Sequence, residues 1–165
     1  MSLYYDRYAS PLGEILLVAD DAGLAGLHFV DQKHFPKDAS DWTLRADHPV
    51  LVAARAQLEE YFAGRRRDFD LPLAARGTPF QQQVWKLLCE IPYGTTTSYG
   101  ALAAKLGQPT ASRAVGAANG RNPIGIVVPC HRVVGSAGAL TGYAGGLERK
   151  QALLALEQGQ RGLVL

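Results

Sequence analysis

The sequence predicts an α+β protein. A small N-terminal domain of antiparallel sheet plus one helix precedes a helical, winged-helix-like C-terminal domain with a helix-turn-helix. Three observations carry this. The first thirty residues alternate β-rich runs with turn residues. Beyond residue 76 apolar residues recur at helical spacing. Two short helical stretches are joined by Gly107-Gln108-Pro109-Thr110, the layout of a helix-turn-helix. A chain of 165 residues suits one large domain or two small ones. The boundary is placed within Leu73–Gly77, giving an N-terminal α+β domain (1–75) and a C-terminal domain (76–165).

Tyr4 to Tyr8, Glu14 to Ala19 and Leu24 to Val30 read as three strands, separated by Ser10-Pro11-Leu12-Gly13 and Asp20-Asp21-Ala22-Gly23. Residues 31–46 are polar and irregular. Asp47 or a neighbour caps a helix through Phe62, with Pro49 in its first turn and Gly64 just past its end. Leu51, Ala54, Leu58 and Tyr61 or Phe62 form its apolar stripe. Arg65-Arg66-Arg67 reads as a solvated loop, and Phe69 to Leu73 as a short closing segment. Thr78-Pro79-Phe80-Gln81 is a capping box. It opens a helix whose stripe is Phe80, Val84, Leu87, Leu88 and Ile91, with Trp85 and Cys89 packed beside it. Pro92-Tyr93-Gly94 ends that helix. Ser98 caps the next, Tyr99 to Leu106, and Thr110 caps Ala111 to Asn119, which Gly120 terminates. Gly135 to Gly146 forms a wing or loop, and a last helix runs from about Leu147 to Glu157.

Composition excludes several classes. Hydrophobic residues make up 47% and charged residues 19%, enough apolar material for a core. No run approaches the ~18 consecutive apolar residues of a membrane span. The N-terminus lacks the layout of a signal peptide, so a cytoplasmic protein with two free thiols, Cys89 and Cys130, is expected. The net charge of +2 is unevenly spread. Residues 1–75 hold eight Lys/Arg against twelve Asp/Glu, net −4, and residues 76–165 hold nine against three, net +6. Such asymmetry points to a polyanion at the C-terminal half.

Pro129-Cys130-His131-Arg132-Val133-Val134 is the segment best suited to chemistry. A stiff apolar run and Pro129 hold a thiol beside two potential cations, and the thiolate is the nucleophilic form. An unperturbed thiol of pKa ~8.5 is only a few per cent ionised at neutral pH, so a base is needed. In an extended segment His131 would face away from Cys130. Direct contact requires a turn there, while a bridging water or a different histidine serves equally. The carboxylate that orients the imidazole is Glu157, which closes the last helix, or Glu148. Taken alone, such a pair is more often a small buried thiol beside a satisfied core histidine.

The second helix of the helix-turn-helix carries one long cation, Arg113, among small residues. A major-groove reader presents several Arg, Asn or Gln residues to base edges. A smooth helix can instead lie close to DNA, and small side chains ease entry into a minor groove ~6 Å wide. The plain alternative is an Ala/Gly helix packed in a core, which the basic charge argues against.

Together these segments resemble the O6-alkylguanine-DNA alkyltransferases, the methylated-DNA–protein-cysteine methyltransferases. The resemblance rests on the Pro129–Val134 signature, Phe80-Gln81-Gln82-Gln83-Val84-Trp85, Ile91-Pro92-Tyr93-Gly94 and Ser98-Tyr99-Gly100. It continues through Ser112-Arg113-Ala114-Val115-Gly116, Asn122-Pro123 and Tyr143-Ala144-Gly145-Gly146 to Glu157. It covers the basic half closely and the N-terminal half in length and element order. It implies direct-reversal repair of O6-alkylguanine in double-stranded DNA, with O4-alkylthymine a second candidate, and irreversible transfer of the alkyl group to Cys130 in a single turnover. His131 would take the thiol proton through a water, Glu157 would orient it, and Asn122 would brace the turn. Tyr99 would rotate the nucleotide out and protonate the leaving guanine. Arg113 would fill the stack, joined at the DNA surface by Ala114, Gly116, Asn119 and Arg121, through the minor groove. Val133, Tyr143, Ala144 and Gly145 would line the alkyl pocket. No cofactor is implied. Some relatives bind zinc through N-terminal cysteines, and this half has none, so no metal is expected. Ala144 stands where some members carry a hydroxyl, and Asn119 where some carry a larger apolar side chain. A monomer is expected, with protein–protein contacts when several chains share one DNA. A lesion-binding module without repair, or a Cys–His hydrolase, are the alternative classes. The first would lack Cys130, and the second leaves Arg113 and the helix-turn-helix unexplained.

Overall fold

A computed structural model describes residues 2–36, 41–135 and 138–159. Strands β1 (Tyr4–Ser10), β2 (Gly13–Ala19) and β3 (Leu24–Phe29) form the expected antiparallel meander. Gly13 has φ +127 at the first turn, a conformation that disfavours any side chain. A fourth strand, β4 (Thr43–Leu44), lies parallel on the outer edge of β1, in a stretch read from sequence as irregular. Its pairing is made by backbone groups, Thr43 N–H to Leu3 and Arg45 N–H to Tyr5. Side-chain alternation therefore gives no sign of it.

Helix α1 (Pro49–Phe62) packs on this sheet through Leu51, Ala54, Leu58, Tyr61 and Phe62, all buried. Its cap is His48, the neighbour of Asp47: Nδ1 of His48 accepts from the Val50 N–H at 3.2 Å. Pro49 holds the preceding residue extended, which sets the cap there. The chain then closes on β3, with Leu24 N–H donating to Pro72 and Ala74 N–H to Leu24.

Helix α2 (Pro79–Cys89) starts on the capping box. Gln81 N–H donates to Thr78 Oγ1 at 3.1 Å, and Thr78 N–H donates to Gln81 Oε1 at 2.9 Å. Cys89 does not pack beside the stripe; it is exposed. It lies ~100° round the helix from the buried Leu88. Strand β5 (Thr97–Ser98) leads into α3 (Tyr99–Lys105), capped by Ser98. Helix α4 (Ser112–Gly120) follows. Its N-cap position is Ala111, not Thr110, and no side chain caps it. Gly120 is its last residue rather than the residue beyond it. Trp85 Nε1–H donates to Ala118 at 2.8 Å and docks α4 onto α2. Strand β6 (Val133–Val134) pairs in parallel with β5, and α5 (Leu147–Glu157) closes the described fold.

One apolar cluster runs through both halves, from Ile15 and Phe29 through Leu58 and Leu88 to Val133 and Leu153. Leu27 of β3 also bonds to the C-terminal half, its N–H to Pro123 and its carbonyl from Gly125. The segment that leads to Cys130 is thus hung on the edge of the N-terminal sheet. Thr78→Ala should lower stability by about 1 kcal/mol. Urea unfolding should show a lower midpoint with an unchanged slope.

Candidate active site

Cys130, His131 and Arg132 form one turn of 3-10 helix, not an extended segment. The turn is stiffly mounted. Ile126 has φ +68, rare for a β-branched residue. Asn122 ties the loop together: Nδ2–H donates to Val128 at 2.7 Å, and Oδ1 accepts from the Ile124 N–H at 3.0 Å.

Glu157 sits behind this turn, 4% exposed. Its Oε2 lies 2.7 Å from His131 Nε2 and 2.6 Å from the donating hydroxyl of Tyr61. Arg132 forks onto the same carboxylate, Nε to Oε1 at 2.7 Å and Nη2 to Oε2 at 3.0 Å, and Nη1 donates to Ile91 at 2.7 Å. Burial raises the Glu157 carboxyl, but the His131 and Arg132 donors and charges outweigh it and leave it at about 2. Glu148, the other sequence candidate, is exposed at the start of α5.

This fixes the tautomer of His131. Burial lowers its pKa against the pull of Glu157, so the ring is neutral at neutral pH. An ionised Glu157 only accepts, so Nε2 carries the proton and Nδ1 holds the lone pair. Nδ1 is buried and has no protein partner among the described residues. The ring thus turns its accepting nitrogen away from Glu157.

Cys130 is 6% exposed, and burial raises its pKa. The Asn122 amide and the charge of Lys150 oppose that rise. Arg132, expected from sequence as a cation beside the thiol, is committed to Glu157 instead. Lys150, which the sequence reading overlooked, is fully buried in α5 and donates to Val133 at 2.6 Å and Thr141 at 3.0 Å.

Cys130 opens onto a cavity of about 20 Å³ lined by Asn119, Asn122, Tyr143, Ala144, Gly145 and, from the N-terminal half, Leu27 and Gln32. That is room for about one water. Val133 is fully buried but is not in the cavity wall; its carbonyl is held by Lys150. Tyr99 is not in the wall either. Its hydroxyl is 2.7 Å from Thr141 Oγ1, and its ring lies against Gly116. Arg113, Ala114 and Arg121 are exposed, Gly116 is half-buried, and Asn119 is buried toward the cavity. Among the described residues Arg113 makes no hydrogen bond or ion pair, and no cluster of potential metal ligands occurs.

Residues 3–75 match the family model for the 6-O-methylguanine DNA methyltransferase ribonuclease-like domain, and residues 79–159 match that for the DNA binding domain. The chain belongs to the 6-O-methylguanine DNA methyltransferase family. A methylated-DNA–protein-cysteine methyltransferase of Methanosarcina barkeri is 51% identical over 94% of this chain and 98% of its own. Its Mycobacterium tuberculosis counterpart is 48% identical over 96% and 94%. The crystal structure of Mycobacterium tuberculosis OGT in complex with DNA superposes with a TM-score of 0.86 at 48% identity, covering 94% of this chain and 92% of that one.

Within this methyltransferase fold, Tyr61, Arg132 and Lys150 are the site residues that sequence reasoning missed or misassigned. Tyr61 was read only as part of an apolar stripe. The one available signal was Lys150, a charge recurring on the inner face of α5 among Leu153, Leu154 and Glu157.

The carboxyl of Glu157 contributes a pH dependence of known sign. Its folded pKa lies below the ordinary 4.5, so the stabilisation is present above that value and is lost as pH falls toward about 2. His131, lowered on folding, adds loss in the same direction as pH falls below its ordinary 6.5. Glu157→Gln should therefore flatten the acid side of the stability–pH curve. It should also cost roughly 3–5 kcal/mol near neutrality, because Arg132 is left as a buried, unpaired charge. Chemical unfolding across pH 2–7 reads both.

Proposed function

We propose that the protein repairs DNA by direct reversal, taking the alkyl group of O6-alkylguanine onto Cys130, each chain acting once. The observation that carries this is the buried thiol lining a small cavity, next to a histidine whose Glu157-fixed tautomer leaves Nδ1 as the accepting nitrogen. The Cys130 proton passes to His131 Nδ1 through a water. The sulfur attacks the alkyl carbon, the S–C bond forms, and the C–O6 bond breaks with its electron pair going to the purine. A proton from Tyr99 then completes the leaving guanine. The product is a thioether, which neither hydrolysis nor thiol exchange reverses.

A paired guanine cannot bring O6 to a sulfur this deeply placed, so the nucleotide must leave the stack, at a cost of a few kcal/mol. The exposed Arg113 on α4 would fill the vacated position, with Ala114, Gly116 and Arg121 letting the helix approach the minor groove. Asn119 would meet the incoming nucleotide at the cavity. Tyr143, Ala144 and Gly145 form its wall, which must open, since the present cavity does not admit a base. Ala144 offers a backbone N–H where a hydroxyl is absent, and Asn122 holds the turn. Tyr99 would exchange Thr141 for the target nucleotide. The partner is duplex DNA, bound by a monomer in the cytoplasm; no described helix is long and apolar enough to cross a membrane. O4-alkylthymine is a second substrate to test.

Mixing the protein with O6-methylguanine DNA should give at most one lesion repaired per chain, with one methyl group added to the peptide containing Cys130. Repair beyond that ratio, or repair by Cys130→Ser, would disprove the assignment. Arg113→Ala should slow repair of duplex DNA by roughly tenfold, while leaving reaction with the free base O6-benzylguanine unchanged.

A further inference from the structure

The N-terminal half supplies one polar group to the catalytic pair. Tyr61, on α1, is fully buried and reaches 96 residues along the chain to donate to Glu157 Oε2 at 2.6 Å. That oxygen is the one that accepts from His131 Nε2 at 2.7 Å. Arg132 Nη2 is also 3.0 Å from it, while among the described residues Oε1 takes only Arg132 Nε. Two short bonds therefore compete for one oxygen. Each donor to a carboxylate draws off charge available to the others, because the same lone-pair density serves them all.

We propose that Tyr61 is a positioning residue that sets the basicity of His131 by sharing Glu157 Oε2 with it, so that the N-terminal domain governs how readily the Cys130 thiol gives up its proton. This rests on the alkyl-transfer reading above. Tyr61 is not part of the cavity wall. It acts through Glu157 and then through the tautomer and charge of the imidazole.

Every charged or titratable group packed around this pair acts in the same low-dielectric space. Arg132 and His131 come from the 3-10 turn, Lys150 from α5 itself, Tyr93 from the turn after α2, and Tyr143 from the cavity loop. Of the two tyrosines besides Tyr61, neither hydrogen-bonds to the carboxylate among the described residues; only Tyr61 does. Burial and the adjacent carboxylate both raise the Tyr61 hydroxyl well above its ordinary pKa, so it stays a donor across the working range. Its ring is wedged between Phe62, Phe69 and Tyr93 at centroid distances of 5.3, 5.3 and 6.4 Å. The hydroxyl is thereby aimed at Glu157.

Tyr61→Phe removes the donor and keeps the ring. Glu157 Oε2 then serves His131 with one competitor fewer, which favours the imidazolium. The expected result is an upward shift of the His131 titration, followed by NMR with labelled histidine. The pH–rate profile of Cys130 with free O6-benzylguanine should shift by about half a unit to one unit. Leu58→Ala on the same helix is the control. It loosens α1 without touching the carboxylate, and it should lower thermal stability while leaving both pH readouts in place. Unchanged titration and profile in Tyr61→Phe, or an equal shift in Leu58→Ala, would overturn the inference. Transfer from O6-methylguanine DNA to the parent protein is measured alongside. Its failure would count against the repair assignment itself, whereas transfer without a pH shift counts only against Tyr61.

Discussion

The carboxylate of Glu157, which closes α5, receives donors from two other parts of the chain: Tyr61 in α1, and His131 and Arg132 in the 3-10 turn. A carboxylate taken out of water is costly unless nearly every lone pair is used. Here the requirement is met only when the N-terminal helix, the turn carrying Cys130 and the last helix are all in place. Assembly of the core and assembly of this hydrogen-bond network are for this reason one event. The loop that presents the thiol is tied by Asn122, by Leu27 of the first sheet and by Lys150, so the sulfur has little freedom once those contacts form.

The same burial has a chemical consequence. Desolvation keeps Cys130 largely protonated in the free protein, in spite of the nearby lysine. A nucleophile used only once gains from this. A standing thiolate would react with any passing electrophile, whereas a buried, protonated thiol does not. The small cavity and the raised thiol pKa are two sides of one arrangement that keeps the resting thiol unreactive.

Much of the fold was legible from residue pattern. Turn residues delimit the meander, Thr78 and Gln81 announce the start of α2, and Leu51, Ala54 and Leu58 mark the inner face of α1. Those are local signals, governed by contacts a few residues apart. The failures share a cause as well. β4 is held by backbone groups that carry no side-chain signature. The cap of α1 was open between Asp47 and a neighbour, and the proline after His48 decides it by holding His48 extended. Cys89, four residues from a buried tryptophan, was taken as packed, yet periodicity gives only a direction, and the thiol lies on the exposed rim of a groove.

At the site, the sequence determined the chemistry: a cysteine between a stiff apolar run and a histidine, one arginine on a helix of small residues, and a basic half opposite an acidic one. These depend on residue type and adjacency, which a chain displays directly. Only the tertiary structure decided which carboxylate serves His131, that Arg132 faces Glu157 rather than the thiol, that Lys150 lies beside Cys130, and that Tyr61 completes the set. Hydrogen bonds spanning 25 to 96 residues are fixed by how helices and sheet pack. Packing brings together side chains whose positions along the chain bear no simple relation to one another.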